Sequence, residues 1–206
     1  MATVQNDLIS GSIGDRTYSV DPITRKQIVR SKPKKVRNPK TAAQKAHRSA
    51  FVDIVRLSSH TTEAHLIGLF QHARRNGLRT YADFRRLNKD CFTPDGLIDY
   101  PRLVLSHGTV SPVDVTDVHI DASNLLHLTF ETNTTLTNAH ATDLLFLFAY
   151  SAAHGAGILA QPVLRTDGSL LLQLPTDWSP ADLHLYAFLC NSRGFASNTL
   201  YIPLPR

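Results

Sequence analysis

The stretch LLFLFAY at residues 144–150 is the longest apolar run in this chain of 206 residues. It has the length of a buried strand, and it is apolar on both faces, as the central strand of a sheet would be. A helix that spans a bilayer needs about 20 apolar residues, and no run in the chain approaches that length. We therefore predict that residues 144–150 form the central strand of a β-rich core.

The sequence around this run alternates between apolar and polar residues from about Leu103 onwards. This period of two is typical of strands that bury one face. Strands are predicted at residues 113–120, 126–131, 144–150, 170–174, 183–190 and 199–204. Such a series of short strands indicates an antiparallel β-sandwich of immunoglobulin or fibronectin III type for residues 103–206. The fibronectin-like variant is favoured because the disulfide-and-Trp pattern of antibody domains is missing.

Residues 41–102 have the periodicity of amphipathic helices. The first predicted helix begins at Thr41, which forms a capping box with Gln44, and it ends near Leu57. Its predicted apolar face consists of Ala43, Ala46, Ala50, Phe51, Ile54 and Val55. Further helices are predicted from Thr62 to Arg75 and from Thr80 onwards, and a turn at residues 94–96 closes this region.

Residues 1–40 are predicted to form an extended arm. Arg16–Val20 and Gln27–Ser31 have β character, and Asp21-Pro22 between them is a turn signal, so we predict a β-hairpin. A two-stranded hairpin is marginal in water, so this one needs something to pack on. The fold class is therefore α+β, with a basic β-hairpin arm at 1–40, a helical region at 41–102 and a β-sandwich at 103–206.

The charge of the chain is unevenly distributed. Residues 1–110 contain 19 Lys and Arg against 9 Asp and Glu, a net of +10, whereas residues 111–206 contain 3 against 8, a net of −5. Opposite charges in the two parts indicate two modules. They also allow neighbouring copies of the chain to attract one another, because complementary potentials steer association.

Many of the positive residues are concentrated between Arg25 and Arg48, a stretch that contains no Asp or Glu and that we call the basic segment. Its ten cations are Arg25, Lys26, Arg30, Lys32, Lys34, Lys35, Arg37, Lys40, Lys45 and Arg48. The sequence leaves three interpretations open: contact with backbone phosphates, docking on an acidic protein surface, or simple solvation. Stacking on bases is not expected from this segment, because no Phe, Tyr or Trp lies between Tyr18 and Phe51.

The chain lacks the usual motifs of enzymes and metal sites. It has no Gly-x-Ser-x-Gly elbow and no Cys-x-x-Cys pair, and its sparse carboxylates suggest no acid–base pair. His60, His65 and His72 lack the spacing of a zinc helix, and we interpret the histidines as solvated. Cys91 and Cys190 are expected to be buried free thiols, with a disulfide as the alternative. We predict no catalytic residues, no metal, no cofactor and no small-molecule substrate.

Several short motifs have the spacing of a known family. They are Arg30-Ser-Lys-Pro33, Asn38-Pro39-Lys40-Thr41-x-x-Gln44, Arg48-x-x-Phe51, Ile98-Asp99-Tyr100, Ser106-x-Gly108, Ser197-Asn198 and a Gly-x-x-Gly arm at Gly11 and Gly14. On these motifs the chain resembles, over nearly its whole length, a bacterial domain-of-unknown-function family of the six-two-six-six type. The resemblance implies the layout and supplies no catalytic residues. The helix start is also similar to that of phage and prophage virion components, which points towards assembly.

We therefore expect a non-enzymatic structural or assembly protein. In this hypothesis the basic arm and the first helix contact neighbouring protein subunits, of the same or another chain, or a larger, virion-like particle. The alternative is a sequence-independent nucleic-acid-binding protein that contacts backbone phosphates through residues 25–48. The segment MATVQNDLIS lacks the features of a secretory signal, so we expect the cytoplasm or a particle assembled there.

Overall fold

The computed structural model describes residues 3–5, 8–34, 40–93 and 98–204. The chain divides into two compact units, Met1–Ala42 and Ala43–Arg206. The predicted turn at 94–96 lies outside the described residues, as do Lys35 and Arg37 of the basic segment. Helices occur together with antiparallel sheets, which confirms the α+β class.

The first unit is an antiparallel sheet with the strand order β1-β2-β3-β4. Its strands are β1 (Thr3–Gln5), β2 (Leu8–Ile13), β3 (Arg16–Val20) and β4 (Gln27–Ser31). The predicted hairpin is present as β3 and β4, with Arg16 opposite Ser31. The sequence pattern does not indicate β1 and β2, which supply the further strands that an isolated hairpin needs for stability.

Asp21 shapes the turn between β3 and β4. Its Oδ1 accepts hydrogen bonds from the backbone N–H groups of Thr24 at 2.9 Å and Ile23 at 2.8 Å. Asp commonly forms such bonds in turns. Because they stabilise the ionised carboxylate, they lower the pKa of Asp21.

The second unit begins with four helices. They are α1 (Ala42–His60), α2 (Thr62–Gly68), α3 (Phe70–Arg75) and α4 (Thr80–Asn88). The prediction of a single helix from Thr62 to Arg75 is wrong, because α2 ends at Gly68. A Cβ at position 68 would lie 2.5 Å from the carbonyl oxygen of Leu105, so only Gly permits this close approach. Gly also disfavours the continuation of a helix.

The rest of the second unit consists of two antiparallel sheets. The strands are β5 (Val115–Ile120), β6 (Leu125–Phe130), β7 (Leu144–Ser151), β8 (Ala156–Leu159), β9 (Val163–Leu164), β10 (Ser169–Gln173), β11 (Leu183–Cys190) and β12 (Leu200–Ile202). The small sheet has the order β10-β6-β5, and the large sheet has the order β12-β11-β7-β8, with β9 also paired to β7.

Strand β7 is buried on both faces and separates two hydrophobic cores. The odd-numbered residues from Leu145 to Ala149 pack into the core between the two sheets. The even-numbered residues from Phe146 to Tyr150 pack into a second core that the large sheet shares with the helices. The second unit therefore has three layers, and the prediction of a central strand at 144–150 is confirmed.

Both cysteines are buried and free, as the sequence favours. Burial raises the pKa of the Cys190 thiol to about 12 and also raises the pKa of Cys91, so both thiols stay protonated at neutral pH. Within the described part of the chain, no helix is both long and apolar enough to cross a membrane.

Candidate interaction surface

The cations of the basic segment lie at the surface wherever the structure describes them. The exposed residues are Arg25, Lys26, Arg30, Lys32, Lys34, Lys40, Lys45 and Arg48. Arg30 lies in β4, which is an edge strand of the arm sheet. Lys32 follows this strand, and its Nζ donates a hydrogen bond to the carbonyl oxygen of Gly14 at 2.9 Å. The described cations of the basic segment therefore include some on or beside the edge strand β4 and others, Lys45 and Arg48, on helix α1.

Helix α1 has an exposed face that is both basic and apolar. It begins at Ala42, directly after Thr41. Lys45 and Arg48 are exposed, and Phe51 and Val52 keep 57% and 54% of their surface accessible. Of the predicted apolar face, Ile54 is buried, together with Leu57 and Ser58, whereas Phe51 is exposed.

A groove lies between α1 and α4 and has a volume of about 400 Å³. We call it the α1–α4 groove. Its lining residues are His47, Ala50, Phe51, Ile54, Ala82, Arg85, Arg86, Lys89 and Phe92. These described lining residues include three Lys or Arg and no Asp or Glu. The groove therefore combines positive charge with apolar walls.

Arg85 occupies the centre of this surface, between two aromatic rings. Its Cζ lies 5.0 Å from the ring centroid of Tyr81 and 5.7 Å from that of Phe51. Both distances are within the range of cation–π attraction. The Nε of Arg85 is buried and has no hydrogen-bond partner among the described residues. Tyr81 and Phe51 are 41% and 57% exposed, and Arg85 between them is half-buried, so the patch is accessible mainly through its two rings.

The neighbouring Arg86 is held by a buried carboxylate. Asp83 is fully buried and accepts from Arg86 at 2.9 Å and from Nδ1 of His72 at 2.5 Å. The ring of His72 also lies 4.4 Å from that of His107. Burial lowers the pKa of His107, and the adjacent His72 lowers it further. This cluster connects α3 to α4 and fixes the position of Arg86 beside the groove.

A second pocket lies between α1 and the start of β8, with a volume of about 440 Å³. Its ionisable lining residues are Asp53, Arg56, His60, Tyr100, Tyr150 and His154. Burial raises the pKa of Tyr150 to about 12 and also raises that of Tyr100, so both phenols remain hydrogen-bond donors at neutral pH. The Nδ1 of His154 lies 3.0 Å from the hydroxyl of Ser151, and its Nε2 lies 3.3 Å from a carboxylate oxygen of Asp177.

The interpretation of all histidines as solvated is wrong for His65. Its side chain is buried against Phe84, with the ring centroids 4.9 Å apart. Burial lowers the pKa of His65 to about 4, so the ring is neutral at pH 7. Among the residues that the structure describes, no three His, Cys, Asp or Glu are grouped so that they could hold a metal ion.

Two of the family-like motifs come together in the structure. The amide N–H of Gly108 donates to Oδ1 of Asn198 at 3.3 Å. A Cβ at position 108 would lie 2.1 Å from the carbonyl oxygen of Ala196, so a side chain there would clash with backbone. Ser197 bonds to β11, where its hydroxyl accepts from the N–H of Leu189 at 2.9 Å. These residues hold the fold together and lie outside the α1–α4 groove.

Comparison with known proteins places the chain in a family. The model of a family of unknown function (DUF6266) matches residues 18–203. The chain therefore belongs to this family, and the resemblance seen in the sequence is confirmed. No curated protein and no solved structure matches the chain.

The sequence does not reveal the centre of the candidate surface. Arg85 and Tyr81 belong to α4, whereas Phe51 belongs to α1, and no motif connects them. The available signal is the composition of residues 79–89, which contain Arg79, Arg85, Arg86 and Lys89 beside Tyr81.

Proposed function

We propose that this protein is a non-enzymatic assembly protein whose basic arm and first helix contact neighbouring subunits or a larger particle. The observation that carries the proposal is Arg85 between the exposed rings of Phe51 and Tyr81. Exposed apolar patches mark interaction sites, and aromatic residues and Arg are enriched in protein interfaces. Such a patch provides the anchor residues around which an interface forms.

The charge distribution supports a protein partner with an acidic face. The α1–α4 groove is positively charged, and the arm and α1 add further exposed Lys and Arg side chains. Residues 111–206 contain 8 Asp and Glu against 3 Lys and Arg, a net of −5. Another copy of the chain therefore offers a surface of the opposite sign, which favours rapid and specific association.

We also propose that the two sheets of the second unit form an immunoglobulin or fibronectin III type sandwich. The support is that a small and a large antiparallel sheet share one hydrophobic core. Such sandwiches serve many proteins as rigid scaffolds for interaction, although a fold does not by itself determine a function.

Purification of the native complex tests the proposed assembly role. A tagged chain is isolated from its source, with and without nuclease treatment, and the mass and composition of the complex are determined. We expect a complex that contains further copies of the chain and that survives the nuclease. Recovery of a single chain under both conditions would contradict the proposal.

A second candidate function is sequence-independent binding to nucleic acid. The α1–α4 groove favours it, because the groove contains the aromatic ring of Phe51 beside the cations Arg85 and Lys89, and Arg85 also contacts the ring of Tyr81 next to the groove. Duplex affinity should fall by about 10³–10⁵ between 50 and 200 mM salt if ~6–10 phosphates are contacted. Charge reversal at Lys32, Lys34, Lys35 and Arg37 should abolish this binding. Absence of binding at the lower salt concentration would rule the candidate out.

A further inference from the structure

A groove runs along one side of the second unit, between the edges of its two sheets. We call it the β5–β12 seam. Its volume is about 430 Å³, and its lining residues are Val113, Asp114, Val115, Thr116, Asp117, Val118, Leu200, Tyr201, Ile202 and Pro203. Strand β5 forms one wall and strand β12 forms the other.

Both walls of the seam are sheet edges. Among the described strands, β5 pairs with β6 alone, and β12 pairs with β11 alone. The segments that precede β5 and β12 form a parallel bridge between Val110 and Ser197. After this bridge, the two segments line opposite sides of the seam. An edge strand presents backbone N–H and C=O groups that can pair with another strand.

The bulge in β5 limits which part of the strand can accept a partner. The pairing register with β6 shifts between Val115 and Asp117, so Thr116 is the extra residue. Bulges twist an edge and interrupt regular pairing. The regular edge is therefore Asp117–Ile120, with the exposed carboxylates of Asp114 and Asp117 on either side of the bulge.

The arm sheet has an edge strand of complementary charge. Strand β4 pairs with β3 alone among the described strands, and it contains Arg30 and is followed by Lys32. Its five residues are close in number to the four of the regular β5 edge, Asp117–Ile120, so the two edges have similar lengths. Pairing a basic edge with an acidic edge brings opposite charges together across the strands, which stabilises the pair.

We propose that strand β4 of a second copy adds to strand β5 at the seam, with Arg30 and Lys32 beside Asp114 and Asp117. This inference rests on the proposed assembly function, and it names the partner and a docking site in addition to the patch of Phe51, Tyr81 and Arg85. Strand addition supplies main-chain hydrogen bonds, and the side chains beside the edge supply specificity. The pairing is heterologous, so it produces either a reciprocal dimer or a longer array, depending on whether the rotation closes.

Two single variants and their mixture test this inference. Arg30→Asp reverses the charge of the arm edge, and Asp117→Lys reverses that of the seam. Each variant alone should associate about 10- to 100-fold more weakly than the wild type, because like charges would face each other. Their mixture should recover association, since the intact arm of the second variant fits the intact seam of the first and the two reversed charges also attract each other. Light scattering over a range of concentrations measures the mass, and hence the association, of the two single variants and of their mixture.

Charge-preserving variants at the same two positions serve as controls. Arg30→Lys and Asp117→Glu preserve the charges and should associate like the wild type. Both positions are exposed, so thermal melting should be unchanged. If a charge-reversal variant does not fold, Lys32→Asp and Asp114→Lys replace it, since these residues are exposed too.

The remaining outcomes distinguish this inference from the function on which it rests. If both single variants assemble normally, or if the mixture stays monomeric, strand addition at the seam is wrong. In either case the assembly function still stands if the wild type is oligomeric and Phe51→Ser dissociates it. A monomeric wild type, including one whose own arm occupies its own seam, would overturn both.

Discussion

Thr199 and Ser106 lie 93 positions apart and are joined by hydrogen bonds through the hydroxyl of Thr199. Its Oγ1 accepts from the N–H of Ser106 at 2.8 Å, donates to the carbonyl oxygen of Ser106 at 3.0 Å, and lies 3.2 Å from the Ser106 hydroxyl. It also accepts from the N–H of Leu105 at 2.9 Å. One side chain therefore holds the end of the helical region against the start of β12.

Replacement of Thr199 by Val should destabilise the second unit. Val keeps the shape of Thr but leaves the N–H groups of Leu105 and Ser106 without their acceptor. Each buried donor left unsatisfied costs about 1–3 kcal/mol, so we expect a loss of about 2–4 kcal/mol in the free energy of unfolding. Chemical denaturation measures this change. The exposed control Thr129→Val should stay within about 0.5 kcal/mol of the wild type, and an equally small effect of Thr199→Val would contradict the prediction.

Substitutions in the buried ion pair of Arg165 and Asp143 should also destabilise the second unit strongly. Both side chains are fully buried, 3.2 Å apart, and the Arg165 guanidinium also donates to backbone carbonyls of Ser111, Pro112 and Asn133. Arg165→Met leaves the Asp143 carboxylate buried without its partner, which should cost about 3–5 kcal/mol. The exposed Arg193→Met is the matched control.

A double variant separates the ion pair from simple packing. If the cost of Arg165→Met comes from the orphaned charge, adding Asp143→Leu should recover part of the lost stability, since replacement of a whole buried pair is often tolerated. A double variant less stable than Arg165→Met would show that the packing of Asp143 matters more than its charge.

His65 should make the protein sensitive to acid. Its folded-state pKa is about 4, below its ordinary value of 6.5, because burial disfavours the charged ring. The unfolded chain therefore takes up a proton first, and the stabilising contribution is fully present above pH 6.5 and is lost as the pH falls towards 4. The loss should be on the order of 2–3 kcal/mol. Denaturation at a series of pH values measures it.

The variant His65→Phe serves as the comparison, because it preserves the stacking on Phe84 without a titrating group. The difference in unfolding free energy between this variant and the wild type should change with pH in the window from 6.5 to 4. A difference that is constant with pH would mean that His65 does not titrate as its burial indicates.

The sequence predicts the strands well because their signal is local. In β7 each face has its own apolar set, so the run at 144–150 is recognisable without knowledge of its neighbours. The break of the second predicted helix is not recognisable in this way. It depends on the close approach of Gly68 to Leu105, and the sequence does not show which residues will meet.

The candidate surface is the part that the sequence predicts least. Phe51 lies near the apolar stripe of α1, and whether it is buried depends on the position of α4. Arg85 comes 34 positions later, and it contacts the ring of Phe51 only because α4 packs beside α1. The same holds for Arg165 and Asp143, which come together because they flank the pairing of β7 with β9, where Leu144 lies opposite Leu164. Such contacts arise from tertiary packing, which leaves no periodic pattern.

The mass of the purified protein in solution tests the central claim most directly. Light scattering over a range of concentrations compares the wild type with Phe51→Ser and with the control Leu171→Ser. Phe51 and Leu171 are similarly exposed, at 57% and 56%, so neither change should alter the melting temperature much. We predict an oligomer for the wild type and for Leu171→Ser, and a shift to the mass of one chain for Phe51→Ser. The same mass for all three proteins, equal to that of a single chain, would contradict the assembly function.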